Sequence, residues 1–319
     1  QVILFGLPGL ACQFALRSFC EAQGDTTPTM WVNGGAFLLN ILLDYALVFG
    51  EFGLPKMGGV GCGIATAVLH WLALIAFYFI SRRKRYKSAQ LYQRFSPPSL
   101  KGLHDIVRVG LPSAIGVAGE AAFFSVSALL IVSLGVAVVS AHQITMHIDA
   151  FTLMNTQGIA QAVSIRVGHS IGEQRYDLAR FIGLSTIAIV FCLGIATGVV
   201  TIVLRESIAQ LYSNDPSIIT IASSLMFLCA LYQLVDFAQV VAWGALRGYK
   251  DTKVPMYLQL FSFWVVGFPV AYALSFTDLI VPAMGAAGYW IGFIVGLTLA
   301  ALLLILRLRR VSARNLLNG

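Results

Sequence analysis

The chain has 319 residues, 58% of them apolar and 11% charged, with a mean hydropathy of +0.82. Soluble domains carry about a quarter charged residues, so this composition could not cover a surface in water, and lipid is its main solvent. The net charge of +7 would suit nucleic acid, but its placement points to lipid headgroups instead.

Stretches long enough to span a bilayer, about 20 apolar residues each, run at roughly 1–23, 28–50, 57–81, 106–133, 136–164, 181–204, 217–246, 255–276 and 284–306. They are too long and too continuously apolar for barrel strands. Backbone groups in lipid must be paired internally, so the stretches are predicted helices. Cys12, Cys20, Cys62, Cys192 and Cys229 lie in or beside them without metal-ligand spacing and read as buried apolar residues.

Under strict alternation, all of the 21 Lys and Arg except Lys56 and Arg205 fall on one side. The positive-inside rule makes that side, and the C-terminus, cytoplasmic. The basic flanks then meet anionic headgroups, and no nucleic-acid partner is needed.

The sequence repeats. Leu16-Arg17-Ser18-Phe19 with Asp25-Thr26-Thr27-Pro28-Thr29-Met30 matches Leu246-Arg247-Gly248-Tyr249 with Asp251-Thr252-Lys253-Val254-Pro255-Met256. Met57-Gly58-Gly59-Val60-Gly61 matches Met284-Gly285-Ala286-Ala287-Gly288, and Arg82-Arg83 matches Arg309-Arg310. The offset is about 227 residues and spans six helices, so the copies run parallel through the membrane. The second copy has three helices with no counterpart before Gln1. The expectation is an all-α integral membrane protein: nine helices of a twelve-helix, two-lobe parent, with about 130 residues preceding them. The alternative is a complete nine-helix protein. Residues 1–83 are then half of an N-lobe, 84–104 a cytoplasmic linker with Pro97-Pro98, 105–310 a C-lobe and 311–319 a cytoplasmic tail.

Ionisable groups inside spanning helices are costly and mark function. Glu120 lies mid-helix after Gly110, Pro112, Ser113, Gly116 and Gly119, small residues that admit water or a close neighbour. Asp236 shares a helix face with Tyr232, near Gln233 and Gln239. Such carboxylates suit a hard cation or a proton. Asn40 and Asp44 repeat the spacing in the first half. Asp149 is flanked by His142, Gln143 and His147, a proton relay or a polar cavity lining. His147 and Asp149, two apart, do not share a face. Glycines spaced like Gly59 and Gly63 read as helix packing. There is no phosphate loop, H-E-x-x-H or G-x-S-x-G motif.

The chain resembles the multidrug and toxic compound extrusion (MATE) transporters of the bacterial NorM-like branch. The resemblance rests on the Leu16 and Asp25 segments and on Gly58-Gly59-Val60-Gly61-Cys62-Gly63-Ile64-Ala65-Thr66. It extends to Ala141-His142-Gln143-Ile144, Ser164-Ile165-Arg166-Val167-Gly168-His169 and Gly244-Ala245-Leu246-Arg247-Gly248-Tyr249-Lys250-Asp251. It implies twelve helices in two lobes, residence in the bacterial inner membrane and a monomer at full length. It also implies export of cationic amphiphilic drugs in exchange for Na⁺ or H⁺, without a cofactor or catalytic residues. By resemblance, Glu120, Asp236 and Tyr232 form the coupling-cation site, with Na⁺ at Glu120 and Asp236. Asn40 and Asp44 match the first-lobe polar site, whose Asp in the first helix has no counterpart here. Asp149 departs from the family pattern and, with His147 and Gln143, is expected to line a cavity. One rival reading is a lipid-linked precursor flippase of the same superfamily, whose cavity would carry cationic groups for pyrophosphate. The other is a membrane-embedded enzyme using His142, His147 and Asp149.

Overall fold

The computed structural model describes residues 2–51, 53, 55–89, 99–278 and 281–318. Among these it holds helices and no strand. The long helices are α1 (Leu7–Ala22, led in by a 3₁₀ turn Val2–Gly6), α2 (Thr27–Phe49), α3 (Gly59–Ser81), α4 (Leu100–Val132) and α5 (Val136–Gly172). They continue with α6 (Tyr176–Tyr212), α7 (Pro216–Gly248), α8 (Lys253–Phe276) and α9 (Ala286–Asn318). All but α5 are long and apolar enough to cross a bilayer. The exception is 37 residues long, and its first half interrupts the apolar run with His142, Gln143, Thr145, His147 and Asp149.

Several helices outrun their predicted spans. Hydropathy sees only the part in lipid, whereas backbone hydrogen bonding carries the helix on into water. Thus α5 continues to Gly172 and α6 begins at Tyr176. Residues 311–318, expected as a cytoplasmic tail, are helical and extend α9 to Asn318. The expected linker is also helical at both ends: Lys84–Ala89 forms a 3₁₀ helix and Leu100 opens α4. Its middle, residues 90–98 with Arg94 and Pro97-Pro98, lies outside the described residues.

Local chemistry sets the helix ends. Gly50, at φ +80°, closes α2 in the left-handed conformation that glycine adopts without strain. Asp215 caps α7 by accepting the Ser217 backbone N–H at 2.8 Å, with Pro216 following. Ser217 lies at a helix N-terminus and holds the Asp215 carboxyl below the usual carboxylate range.

Two compact units result, Gln1–Pro97 and Pro98–Gly319. In the first, α3 packs on α1 and α2. A Cβ on Gly61 would lie 2.7 Å from the Leu47 carbonyl oxygen, whereas one on Gly59 would meet nothing within 4 Å. The close packing expected of Gly59 therefore belongs to Gly61. Cys20, Phe77 and Tyr86 form a buried cluster, and the Tyr86 hydroxyl donates to Asp25 Oδ2 at 2.7 Å, beside Arg85 at 3.1 Å. The second unit repeats the device, with Arg307 Nε donating to Asp251 Oδ2 at 2.7 Å. In each repeat the acid after one helix is tied to a basic residue at the far end of the half-repeat.

The Tyr86 bond, with a smaller contribution from the Arg85 charge, holds the Asp25 carboxyl below its ordinary range. A depressed carboxylate stabilises the fold above its unfolded pKa, about 3.9, and the contribution is lost as pH falls through the lower folded value. Tyr86→Phe should cost about 1.5–3 kcal/mol at neutral pH, the range for a hydrogen bond to a charged group. The gap from wild type should narrow below about pH 4. Thermal melts in detergent across that range check it, and equal melting at pH 7 would refute it.

In the second unit α7 is the central helix, buried against α5, α6 and α9. Its core is aromatic: Phe123 stacks on Phe263 at 5.2 Å and meets Phe293 at 5.1 Å, and Trp290 is fully buried. Residues Phe261–Gly267 of α8 form a π-helical turn. The wider turn rotates the faces before and after it relative to one another. Gln259 thereby faces α4, while Gly267 and Ala271 face α9.

Candidate functional site

Asp236 in α7 is 1% exposed and Asp149 in α5 is 6% exposed, while Glu120 in α4 is partly buried. Packing gathers these three acids, which come from three helices. Asp149 and Glu120 interact electrostatically, and Asp236 interacts with both. Tyr232, one turn before Asp236, is buried in the same neighbourhood, its ring edge-on to Trp290 at 5.7 Å.

Amides complete the surroundings. Gln259 Nε2 donates to Glu120 Oε2 at 2.8 Å, and Gln233 Nε2 donates to Thr152 Oγ1 at 3.0 Å, joining α7 to α5. Asp149 Oδ1, Asp236 Oδ2, Gln233 Oε1, Gln239 Oε1 and Gln259 Oε1 are buried without a protein donor. Each such acceptor left alone costs about 1–3 kcal/mol. Water, a proton or a bound cation offsets that cost. Oxygen-only donors fit a hard cation such as Na⁺. No three His, Cys, Asp or Glu among the described residues group closely enough to hold a metal ion. A cation here would draw on amide and hydroxyl oxygens as well.

The helical period separates the residues around Asp149. Gln143 and His147 are exposed at the surface of the unit, His147 tilted against Tyr212 at 6.0 Å. His142, two turns before Asp149, shares its buried face, with Nδ1 lacking a protein partner and its ring 5.9 Å from Trp290. In the first unit Asn40 and Asp44 are partly exposed on α2. Asp44 Oδ1 has no hydrogen-bond partner, although the Cys62 thiol of α3 lies beside it. Sequence reasoning missed Gln259, whose signal was a lone amide in the apolar run of α8.

A cavity of about 70 Å³ opens beside Glu120 and is lined also by Gln157, Gln239, Trp243, Arg247 and Gln259. It is small, lined by polar and apolar groups alike, and contained within the second unit.

The MatE family model matches residues 1–46 and 112–273. The probable multidrug resistance protein NorM of Shewanella oneidensis is 41% identical over 311 residues, 97% of this chain and 68% of that protein. Multidrug resistance protein MdtK of Yersinia pestis is 39% identical over 310 residues, 97% of this chain and 68% of that protein. Among solved structures, the eukaryotic MATE transporter AtDTX14 superposes with a TM-score of 0.84 at 23% identity, covering 98% of this chain and 70% of that one. The Vibrio cholerae MATE transporter VcmN in its bent form gives 0.83 at 16%, covering 99% and 69%. At those identities the structures speak to the fold alone, but the sequence matches extend over nearly the whole chain: it belongs to the MatE family of membrane transporters.

Proposed function

We propose that the chain forms nine helices of a twelve-helix multidrug efflux antiporter, which exports cationic amphiphilic compounds in exchange for Na⁺ or H⁺. The observation that carries this reading is the electrostatic grouping of Glu120, Asp149 and Asp236 inside one unit, with buried oxygens that lack protein donors. A negatively charged pocket in a low-dielectric medium holds a cation strongly. Na⁺ or H⁺ arriving at Glu120 and Asp236, beside Tyr232, neutralises the attraction for a lipophilic cation, which then leaves outward. Linkage makes the effect mutual, so drug and ion weaken each other's binding. Alternating access of two lobes converts that exchange into transport. Asn40 and Asp44 form a second polar site in the first lobe. In this reading the protein acts as a monomer in the inner membrane, its C-terminus and basic flanks cytoplasmic.

The acids are also what disfavours a lipid-pyrophosphate flippase, which would need cationic groups in their place. The separation of His147 from Asp149 weakens the enzyme reading. The deciding experiment is ethidium efflux from vesicles with the Na⁺ and pH gradients varied independently. Efflux driven by one of them is expected, and efflux indifferent to both would overturn the antiport.

A further inference from the structure

The cavity beside Glu120 has a second charged wall. Along α7, Asp236, Gln239, Trp243 and Arg247 follow at three- or four-residue steps, covering about 16 Å of helix. Gln239, Trp243 and Arg247 line the cavity, with Glu120 of α4, Gln157 of α5 and Gln259 of α8 around them. The Oε1 atoms of Gln239 and Gln259 are buried acceptors without protein donors. That wall attracts water or a hydrated ion, since at about 30 Å³ per water the space admits two or so.

At the Arg247 end the helices close. A Cβ on Gly244 would lie 2.5 Å from the Ala160 carbonyl oxygen, and one on Gly248 would lie 2.8 Å from that of Ser164. With α5 and α7 backbones pressed together, the Arg247 side chain closes this end of the cavity. It is held against α5, donating from Nη2 to Gln161 Oε1 at 2.6 Å and from Nε to Ser164 Oγ at 3.3 Å. Glu120 and the tethered Arg247 guanidinium thus line one small space.

We propose that Arg247 is the cytoplasmic electrostatic gate of the cation site. Its charge bars the coupling ion from passing between Glu120 and the cytoplasm through the second unit, except when α5 and α7 move and carry the guanidinium off Gln161 and Ser164. The inference rests on the antiport reading and names a residue that sets the tightness of coupling rather than ion affinity itself. A unit charge within about 10 Å, at an effective dielectric of about 20, changes a cation's passage by roughly 10- to 100-fold.

The test uses the full transporter reconstituted in liposomes, with Na⁺ or H⁺ flux measured in the absence of drug. Arg247→Gln is expected to raise that leak by at least about tenfold, while Arg247→Lys, which keeps the charge, stays close to wild type. Melting temperatures of both variants establish that they are folded. A folded, leak-tight Arg247→Gln protein overturns the gate. So does an equal leak in both variants, which would make the plug one of shape rather than charge. Wild-type protein with no ion-driven efflux would instead sink the antiport reading.

Discussion

Asp236→Asn is expected to abolish ion-driven efflux while leaving the protein folded. The substitution keeps the size of the side chain and removes one negative charge from a site 1% exposed. At a contact distance of about 4 Å and an effective dielectric of about 20, that charge attracts a cation by about 4 kcal/mol. The loss in ion affinity is therefore of order 100-fold or more. Glu120→Gln should act similarly but somewhat less, because Glu120 is only partly buried and its Oε2 already accepts a hydrogen bond from the Gln259 amide. Asp149→Asn is the informative third variant. Asp149 interacts with both other acids, so removing it should shift the ion dependence of efflux by roughly tenfold without silencing it. Ion-titrated efflux in vesicles reads all three. Wild-type rates in both Asp236→Asn and Glu120→Gln would place coupling elsewhere in the protein.

The second large effect is structural. Gly288, Gly292 and Gly296 recur every fourth residue along α9 and turn a smooth strip towards α8. A Cβ on Gly288 would lie 2.6 Å from the Leu274 carbonyl, one on Gly296 would lie 2.9 Å from the Gly267 Cα, and one on Gly292 would collide with the backbone of Ala271. In lipid, helices associate through such close contact because the hydrophobic effect does not hold them together. Gly292→Val must therefore push α8 away from α9, and with it the π-helical turn that aims Gln259 at Glu120. The expected cost is at least about 3 kcal/mol, the upper range for overpacking, with little folded protein recovered in detergent. Gly158→Ala, where a Cβ would meet nothing within 4 Å, is the control and should be neutral or stabilising by about 0.5–1 kcal/mol. Normal yield and melting of Gly292→Val would show that the two helices do not need this contact.

The sequence alone determined that the chain is helical, membrane-bound and internally repeated. Hydropathy and charge placement respond to the solvent outside each helix, so they can be read one segment at a time. The same logic singled out Glu120 and Asp236, because a carboxylate in an apolar run is conspicuous wherever it faces. Tertiary structure decided which groups meet. Asp149 looked like one of several polar neighbours, yet the rotation of α5 buries it and His142 together and turns Gln143 and His147 outward. Gln259 reaches Glu120 from 139 residues away, and Arg247 came to notice as a basic flank before its cavity showed it opposite an acid. Such pairings depend on how helices rotate and approach one another. Close contact between small residues sets that rotation, and periodicity within a single helix does not record it.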